Sequence, residues 1–224
     1  MVLITGASAG IGEMTARKLA AKGHDLILLA RRKEKLDDLA SQLKTQYPKI
    51  QILTASVDIC DRQQVENFFQ VHAQTLQNLK ILINNAGLAR GADKFQNSKV
   101  SDWDEMMQTN VTALLDMTRL ALPIFLAKNE GHILNLGSVA GRWVYPGGAV
   151  YCASKHAVKA ISEGLRLDLL GTNIRVTNIE PGMVETEFSQ VRFRDQDKAK
   201  AVYKGMRPLT AKDIAETIEW TLSR

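Results

Sequence analysis

A tyrosine and a lysine stand one helical turn apart in the segment VYCASKHAV (150–158). If this segment is a helix, Tyr151 and Lys155 lie on the same face. A fixed positive charge beside a phenol favours the phenolate and lowers the pKa of the phenol from its usual value of about 10. The pattern therefore favours proton-transfer chemistry, although an amphipathic helix whose lysine reaches to solvent has the same spacing.

A serine ends the apolar run HILNLGS (132–138), which precedes this pair along the chain. The Ser138 hydroxyl could donate a hydrogen bond to a substrate oxygen while Tyr151 exchanges a proton with it. The two cysteines, Cys60 and Cys152, are too few for a disulfide framework or a metal cluster. We therefore predict acid–base chemistry without a metal ion.

A glycine-rich segment, TGASAGIG (5–12), lies between the first apolar run and the first helical pattern. Gly6, Gly10 and Gly12 allow a tight turn and let the backbone approach a pyrophosphate, which the amides at the helix start can bind. A turn that merely needs glycine to enter a helix is the alternative. The strand before the segment and the helix after it favour a dinucleotide site.

Two arginines follow the next apolar run, in LLARR (28–32). A site that prefers NAD carries an acidic residue here, which binds the ribose hydroxyls. A guanidinium can instead pair with a ribose phosphate through two hydrogen bonds. The pattern predicts NADP(H), with Arg31 the better candidate and Arg32 closer to a solvated start of the next helix.

Short apolar runs alternate with helical patterns along the whole chain. Strands are predicted at 2–5, 25–30, 50–57, 80–87, 132–138 and 173–182, and helices at 11–23, 32–46, about 61–77, about 102–128, 149–170 and 211–223. This alternation predicts an α/β fold, a single doubly wound parallel sheet (Rossmann fold) with helices on both faces, in one domain over 1–224. Ligands bind such sheets at the carboxyl ends of the strands.

Composition is that of an ordinary globular protein. The 224 residues are 45% hydrophobic, and a formal net charge of +5 is not gathered into a block. Since arginine and lysine do not form a stripe with aromatic residues, we expect no nucleic-acid partner. The most apolar run, TALLDMTRLALPIFLA, is interrupted by Asp116, Arg119 and Pro123, and no leader is recognised, so we expect a cytoplasmic protein without a membrane partner.

Taken together, the motifs resemble the short-chain dehydrogenase/reductase family over nearly the whole chain. They stand in family order: Thr5-Gly6-Ala7-Ser8-Ala9-Gly10-Ile11-Gly12, Asn84-Asn85-Ala86-Gly87, Asn110, Ser138, Tyr151 with Lys155, and Pro181-Gly182. The resemblance implies an NADP-dependent oxidoreductase acting on CH–OH groups. It also implies the catalytic set Asn110, Ser138, Tyr151 and Lys155, with Asn110 holding a water in a proton relay through Lys155.

The resemblance further implies how the cofactor is held. Asp58 would accept a hydrogen bond from the adenine amino group, Lys155 would bind the nicotinamide ribose, and Thr186 would help to hold the carboxamide. From the residues alone, Asp58 could instead cap the next helix, and Asn84 with Asn85 could form a turn. The expected cofactor contacts are Gly6, Ser8, Gly10, Ile11, Gly12, Arg31, Arg32, Asp58, Ile59, Asn85, Ala86, Gly87, Tyr151, Lys155, Pro181, Gly182, Val184 and Thr186.

Two segments, GRWVYPGGAVYCASK (141–155) and NIRVTNIEPGMVETEFSQVRF (173–193), resemble the narrower group of NADP-dependent 3-hydroxy acid dehydrogenases, which include serine 3-dehydrogenases. This resemblance implies hydride transfer at the 3-carbon of serine, allo-threonine or 3-hydroxyisobutyrate.

A substrate of this class carries a carboxylate, which an arginine would bind well. Of Arg142, Arg192 and Arg194 we favour Arg192, because its segment follows the nicotinamide loop and could close over the substrate as a lid. A solvated loop arginine is the alternative. The expected substrate-binding residues are Ser138, Tyr151 and Arg192.

Other functions stay open at this point. A pocket of Trp143, Val144 and Met183 without a reachable arginine would favour NADPH-dependent reduction of uncharged ketones, diketones or quinones. A non-catalytic NADP-binding sensor would need the glycine turn but not the proton relay. The resemblance also implies a homo-oligomer, dimer or tetramer, formed by the helices at about 102–128 and 149–170, and one more strand and a tail after Arg224.

Overall fold

A six-stranded parallel sheet forms the centre of the computed structural model, which describes residues 1–224. Its strands are β1 (Val2–Thr5), β2 (Leu26–Ala30), β3 (Ile52–Ser56), β4 (Ile81–Asn84), β5 (Gly131–Leu136) and β6 (Ile174–Ile179). They are ordered β3-β2-β1-β4-β5-β6, and every neighbouring pair is parallel. Two short strands, β7 (Val184–Glu185) and β8 (Leu209–Thr210), pair only with each other.

Helices cover both faces of this sheet. They are α1 (Gly10–Ala21), α2 (Lys33–Gln46), α3 (Arg62–Val71), α4 (Ala73–Leu76), α5 (Val100–Met107), α6 (Ala113–Lys128), α7 (Ala149–Asp168), α8 (Phe188–Phe193), α9 (Gln196–Ala201) and α10 (Ala211–Leu222). Alternate strand residues point to opposite faces, so Ile4 of β1 packs in the cluster of α1, α2 and α10, and Leu3 in the cluster of α3 and α6. The predicted doubly wound α/β fold is confirmed.

All the predicted strands and helices are present, with ends that shift by three residues or fewer. The predicted helix over 61–77 is divided at His72 into α3 and α4. A π-helical turn, Gln108–Thr112, joins α5 to α6, and Pro123 lies inside α6 without ending it. The short elements β7, α8, α9 and β8 were not predicted, because two-residue strands and six-residue helices have too little periodicity to be recognised.

The run Val100–Lys128 is long and apolar enough, by length and composition alone, to cross a membrane. In the structure its apolar face packs against the sheet through Met117 and Phe125. Asp116 on the same run is buried and forms an ion pair with Arg62 at 3.0 Å. The run therefore packs as a helix of the protein core. Length and composition alone do not distinguish such a helix from one that spans a membrane.

Candidate active site

The strand order reverses between β1 and β4, and a cleft opens at the carboxyl ends of these two strands. In the turn after β1, Gly6 has φ 66° and Gly10 has φ 57°, left-handed conformations that glycine adopts at little cost. A Cβ atom on Gly12 would lie 2.4 Å from the Gly6 carbonyl oxygen, so only glycine lets α1 start this close to the turn. The backbone N–H groups at the start of α1 are thereby brought to the cleft, where an anion can be bound.

The cleft has a volume of about 350 Å³, and its lining includes Gly6, Ser8, Gly10, Ile11, Arg31, Arg32, Asp58, Ile59, Asn85, Ala86, Gly87 and Thr186. A second cavity, of about 110 Å³, is lined by Ile11, Asn85, Gly87, Ser138, Tyr151, Lys155, Pro181, Gly182, Val184 and Thr186, among others. The two share Ile11, Asn85, Gly87, Thr186 and Phe188 and form one groove. The groove contains all the expected cofactor contacts except Gly12. The length of the groove, the glycines in its wall and the two arginines, Arg31 and Arg32, at one end fit a dinucleotide.

The two arginines after β2 have different surroundings. The Arg32 guanidinium donates to the Ser8 hydroxyl oxygen at 3.1 Å and pairs with Glu187 at 2.9 Å. Arg32 does stand exposed at the start of α2, as the alternative interpretation expected, but its guanidinium is also bonded to the glycine turn and to Glu187. Arg31 is exposed and lines the cleft, and its guanidinium makes no hydrogen bond within the protein.

Asp58 does not cap the following helix. Asp61 caps α3 instead, because its side chain accepts from the backbone N–H groups of Gln63 and Gln64. The Asp58 carboxylate accepts from the Cys60 backbone N–H at 3.0 Å and lies in the cleft wall. The capping alternative for Asp58 is thus wrong.

The two neighbouring asparagines at the end of β4 face different ways. Asn85 donates to the Thr5 carbonyl oxygen at 2.8 Å and fixes the glycine turn to β4. Asn84 is buried and donates to the side chains of Thr118 and Asn135. The pair therefore joins the cleft to the core rather than forming an isolated turn.

Tyr151 and Lys155 lie on the first turns of α7, as the spacing predicted. The Lys155 side chain is buried and donates to the Leu136 carbonyl oxygen at 2.7 Å, with its Nζ 6.0 Å from the centroid of the Tyr151 ring. Removal of the ammonium from water lowers the pKa of Lys155 to about 8.

The pKa of Tyr151 moves in the opposite direction from the one we predicted. Burial raises the pKa of the phenol to about 12, and the smaller effects of Ser138 and Arg192, which lower the pKa, do not offset it. The prediction that Lys155 lowers the pKa of Tyr151 is therefore wrong for the protein's own groups. Desolvation dominates because the half-buried phenol is surrounded by protein at the wall of the groove, while the ammonium of Lys155 is directed at a carbonyl oxygen.

Ser138 lies where β5 leaves the sheet, at the start of a short 3-10 turn, Val139–Gly141. Its hydroxyl oxygen accepts from the Ala140 backbone N–H at 3.1 Å and donates to the Pro181 carbonyl oxygen over a long 3.5 Å. That long contact is weak, so the hydroxyl hydrogen can turn towards a ligand in the groove.

Asn110 is buried within the π-helical turn. Its amide accepts from the Leu88 backbone N–H at 2.8 Å and donates to the Leu88 carbonyl oxygen and to the Ser154 hydroxyl oxygen. Both amide N–H groups are thus used within the protein. A Cβ atom on Gly87 would lie 3.2 Å from Asn110 Oδ1 and 3.5 Å from Lys155 Nζ, so these two side chains meet at the same point of the groove.

The three candidate arginines for a substrate carboxylate differ in their partners. Arg142 pairs with Glu180, and Arg194 pairs with the carboxylates of α5. Arg192 of α8 contacts only neutral groups, the Gly91 carbonyl oxygen at 2.8 Å and the Tyr145 hydroxyl at 3.3 Å. Its positive charge is therefore not compensated by a carboxylate. This charge lowers the pKa of Tyr151, although burial outweighs the effect.

Residues that sequence reasoning did not single out also lie at the site. The ring of Phe188 meets that of Tyr151 edge-on with centroids 5.8 Å apart, and Glu187 lines the cleft. Glu187 and Phe188 come directly after Thr186 in the sequence. This position was the only feature of the sequence from which their place at the site could have been predicted. Trp143 and Val144 are exposed and do not line the groove, so the apolar pocket considered for uncharged ketones is not formed by them.

Comparisons with known proteins agree with this geometry. The chain is 44% identical over its full length to an NADP-dependent 3-hydroxy acid dehydrogenase of Schizosaccharomyces pombe, of which it covers 86%. It is 42% identical to sulfoacetaldehyde reductase 2 of Chromohalobacter salexigens, with 99% of this chain and 87% of that protein covered. The closed form of a serine dehydrogenase in complex with NADP⁺ superposes with a TM-score of 0.94 at 42% identity, over all of this chain and 89% of the other.

The sequence also matches the model of the short chain dehydrogenase family over residues 1–197, which include the glycine turn, Ser138 and the Tyr151–Lys155 pair. The chain belongs to the short-chain dehydrogenase/reductase family.

Proposed function

We propose that this chain is an NADP(H)-dependent dehydrogenase that transfers hydride between the cofactor and the 3-carbon of a small 3-hydroxy acid such as serine, allo-threonine or 3-hydroxyisobutyrate. The observation that carries the proposal is the guanidinium of Arg192, which pairs with no carboxylate and whose charge lowers the pKa of Tyr151, although Arg192 does not itself line the groove. A cation at that position would bind the substrate carboxylate through charge-assisted hydrogen bonds. The functions for which the 3-hydroxy acid dehydrogenase and the serine dehydrogenase are named support it.

The chain's own residues would hold the cofactor along the groove. The glycine turn and the start of α1 would bind the pyrophosphate, and Arg31 with Arg32 the ribose phosphate. Pro181, Gly182, Val184 and Thr186 line the nicotinamide end of the groove. When bound, NADP⁺ accepts a hydride from the substrate carbon and NADPH donates one.

Tyr151 would exchange the proton with the substrate oxygen, and Ser138 would donate a hydrogen bond to the same oxygen. With a pKa of about 12, the phenol is protonated at neutral pH and is ready to act as an acid when a ketone is reduced. In the direction of oxidation it must act as a base, so the ammonium of Lys155 and the positive charge of the groove would have to stabilise the phenolate.

Asn110 would keep these groups in register. Through its amide it connects Leu88, in the loop after β4, to Ser154 on α7, between Tyr151 and Lys155. A water relay through its side chain would depend on the remaining lone pair of Oδ1, because both N–H groups are already used.

A second candidate function is reduction of a small sulfonated aldehyde. Sulfoacetaldehyde reductase 2 is as similar to this chain as the serine dehydrogenase, and a sulfonate would suit the same guanidinium. The carboxylate is favoured because two of these three relatives act on hydroxy acids by name. An uncharged ketone would make no use of Arg192.

We also propose that the enzyme is a cytoplasmic homo-oligomer, a dimer or tetramer, without a nucleic-acid or membrane partner. Large apolar side chains are exposed along α6 and at the end of α7: Leu115, Leu126, Leu167 and Leu170. Subunit association would bury them, which is the usual reason for such exposure in a protein of this kind.

The test is a substrate panel that monitors the absorbance of reduced nicotinamide. We expect turnover of L-serine, allo-threonine or 3-hydroxyisobutyrate with NADP⁺, and none with Tyr151→Phe. Arg192→Gln should raise the KM for the hydroxy acid about 10- to 100-fold, since a charge-assisted hydrogen bond contributes about 1.5–3 kcal/mol. The matched control is Arg142→Gln, which removes a guanidinium already paired with Glu180.

Three other results would contradict the proposal. Turnover of sulfoacetaldehyde alone, with the same effect of Arg192→Gln, would favour the second function. Turnover of uncharged diketones alone, unaffected by Arg192→Gln, would make the arginine a surface residue. Binding of NADPH without turnover of any substrate would favour a sensor.

A further inference from the structure

Glu187 has no role in the chemistry described above, yet it lies in the wall of the cofactor cleft. Its two carboxylate oxygens are bound by cations from another part of the chain, Arg32 at 2.9 Å and Lys35 at 3.0 Å. These contacts lower the pKa of Glu187 although burial acts against them, so the carboxylate is ionised at neutral pH.

The cluster connects distant parts of the groove. Arg32 also donates to the Ser8 hydroxyl oxygen in the glycine turn, and Glu187 directly precedes α8. The beginning of α2, the glycine turn and the start of α8 are therefore joined through one carboxylate. The side chains of Arg32, Lys35 and Glu187 are 44–48% exposed, so each ion pair is weak and a stronger anion can displace it.

The basic end of the groove is also where the ribose phosphate of NADP(H) would be bound. A phosphate monoester carries a charge close to −2 and accepts several hydrogen bonds, whereas the carboxylate carries −1. Two anions of this kind cannot share Arg32 without repulsion, because like charges at such distances oppose each other.

We propose that Glu187 is a specificity-determining residue that competes with the 2′-phosphate of the cofactor for Arg32 and Lys35. This inference rests on the proposed preference for NADP(H). Binding of the phosphate releases Glu187, whereas NAD(H), which has no such phosphate, leaves the ion pairs intact.

Release of Glu187 affects α8, which begins at the next residue. Phe188 packs against the Tyr151 ring, and Arg192 is held to Gly91 and Tyr145 on the far side of α8. The ion pairs at Glu187 are therefore an attachment of α8 to the adenosine end of the groove, and the identity of the cofactor is transmitted to the helix that carries the carboxylate-binding arginine.

The test compares Glu187→Gln with the unchanged protein, and Glu185→Gln serves as the matched control. Glu185 is exposed on β7 and forms no ion pair. The probes are adenosine 2′,5′-bisphosphate and adenosine 5′-monophosphate, whose Kd values are measured by calorimetry without nicotinamide or substrate. Hydrogen exchange of the peptide over residues 186–193 is recorded with and without each probe.

In Glu187→Gln, we expect adenosine 2′,5′-bisphosphate to bind about three- to fivefold more tightly, as loss of an exposed charge contact of up to about 1 kcal/mol predicts. Adenosine 5′-monophosphate should bind with unchanged affinity, and Glu185→Gln should change neither Kd. In the unchanged protein only the bisphosphate should speed up exchange over 186–193.

Four outcomes would overturn the inference. Equal tightening of both probes would show a general charge effect, and unchanged affinity for the bisphosphate, or no difference in exchange between the probes, would show that Glu187 does not compete. If the unchanged protein binds the two probes equally well, the proposed NADP(H) preference fails and the inference fails with it. In the first three results the proposed preference for NADP(H) over NAD(H) would still stand.

Discussion

At the scale of single residues, burial decides the acid–base properties of the site. The same desolvation that raises the pKa of Tyr151 to about 12 lowers the pKa of Lys155 to about 8, because each shift favours the neutral form of its group. The pKa of Tyr151 is thus raised and the pKa of Lys155 is lowered. Burial, rather than a direct contact between the two groups, is the largest cause of both shifts. A charged ion or cofactor in the groove will shift the pKa values of both groups.

The lowered pKa of Lys155 predicts a pH dependence of stability. Between pH 8 and pH 10.5 the unfolded chain keeps the proton on this lysine while the folded chain loses it, so the unfolded state binds more protons and stability rises with pH. Below pH 8 burial of the charge costs about 3 kcal/mol by the size of the shift. We expect the free energy of unfolding of the unchanged protein to rise relative to Lys155→Met across this window, as measured by urea denaturation.

An exposed lysine provides the control for this measurement. Lys44 is exposed on α2, and Lys44→Met measures the effect of replacing a lysine that folding does not remove from water. A constant difference for Lys155→Met across the same pH window would show that Lys155 titrates in the folded protein as it does in water.

At the scale of elements, a chain of buried amides fixes α7 to the sheet. Asn84 of β4 donates to Asn135 of β5 at 2.9 Å, and Asn135 donates to the Ser162 hydroxyl oxygen of α7 at 2.9 Å. These side chains are shielded from water, so water cannot replace a hydrogen bond that is lost between them, and Asn84 Oδ1 is already without a partner. The helix that carries Tyr151 and Lys155 therefore has one preferred position along the sheet.

We expect Asn135→Ala to lower the free energy of unfolding by about 2–4 kcal/mol, because it removes one buried hydrogen bond each from Asn84 and Ser162 and opens a small cavity. Denaturant titration monitored by circular dichroism measures this. The control is Asn78→Ala at an exposed asparagine before β4, which should change stability by less than about 0.5 kcal/mol. Equal effects of the two substitutions would mean that the amide chain does not hold the helix.

The sequence predicted the elements that have strong local signals. The glycine turn, the tyrosine–lysine spacing and the six main strands each depend on residues close together in the chain, and they lie where they were expected. The pKa of Tyr151 could not be predicted in this way, since burial is a property of the assembled fold. Neither could the ion pairs of Glu187, which join residues far apart in the chain.

The choice among the three arginines had only weak support in the sequence. Arg192 is favoured there by its place after the nicotinamide loop, and Arg194 lies two residues further on in the same segment. Their partners in the structure separate the three residues, because Glu180 and the carboxylates of α5 are brought in by other elements. The favoured residue, Arg192, stays a prediction until the substrate panel is measured.

At the scale of the whole molecule, the groove lies at the carboxyl ends of the central strands, and exposed leucines lie on α6 and at the end of α7. The side chains of Leu167 and Leu170 are 68% and 76% exposed, more than large apolar groups usually are in an isolated globular domain. Association of two copies across these helices would remove this surface from water without covering the strand ends.

We expect Leu167→Glu to shift the protein towards a smaller assembly, because a carboxylate in an apolar contact is costly to desolvate. Sedimentation velocity at several protein concentrations measures this. Trp220→Glu is the matched control, since Trp220 is 58% exposed on α10, which packs with α1 on the opposite face of the sheet from α6. A sedimentation coefficient that neither substitution changes would exclude α7 from the subunit contact.

The strands β7 and β8 form a small sheet of their own, apart from the six-stranded sheet. The segment between them carries α8 and α9, and its strands share no hydrogen bonds with the six-stranded sheet. A chimaera that exchanges residues 184–210 for the matching segment of a relative should therefore keep its fold while acquiring the relative's choice of substrate. The exchanged segment also carries Val184, Thr186 and Glu187, which line the groove, and Glu187 pairs with Arg32 and Lys35. Substrate choice and part of the cofactor contacts are therefore inherited together in this fold.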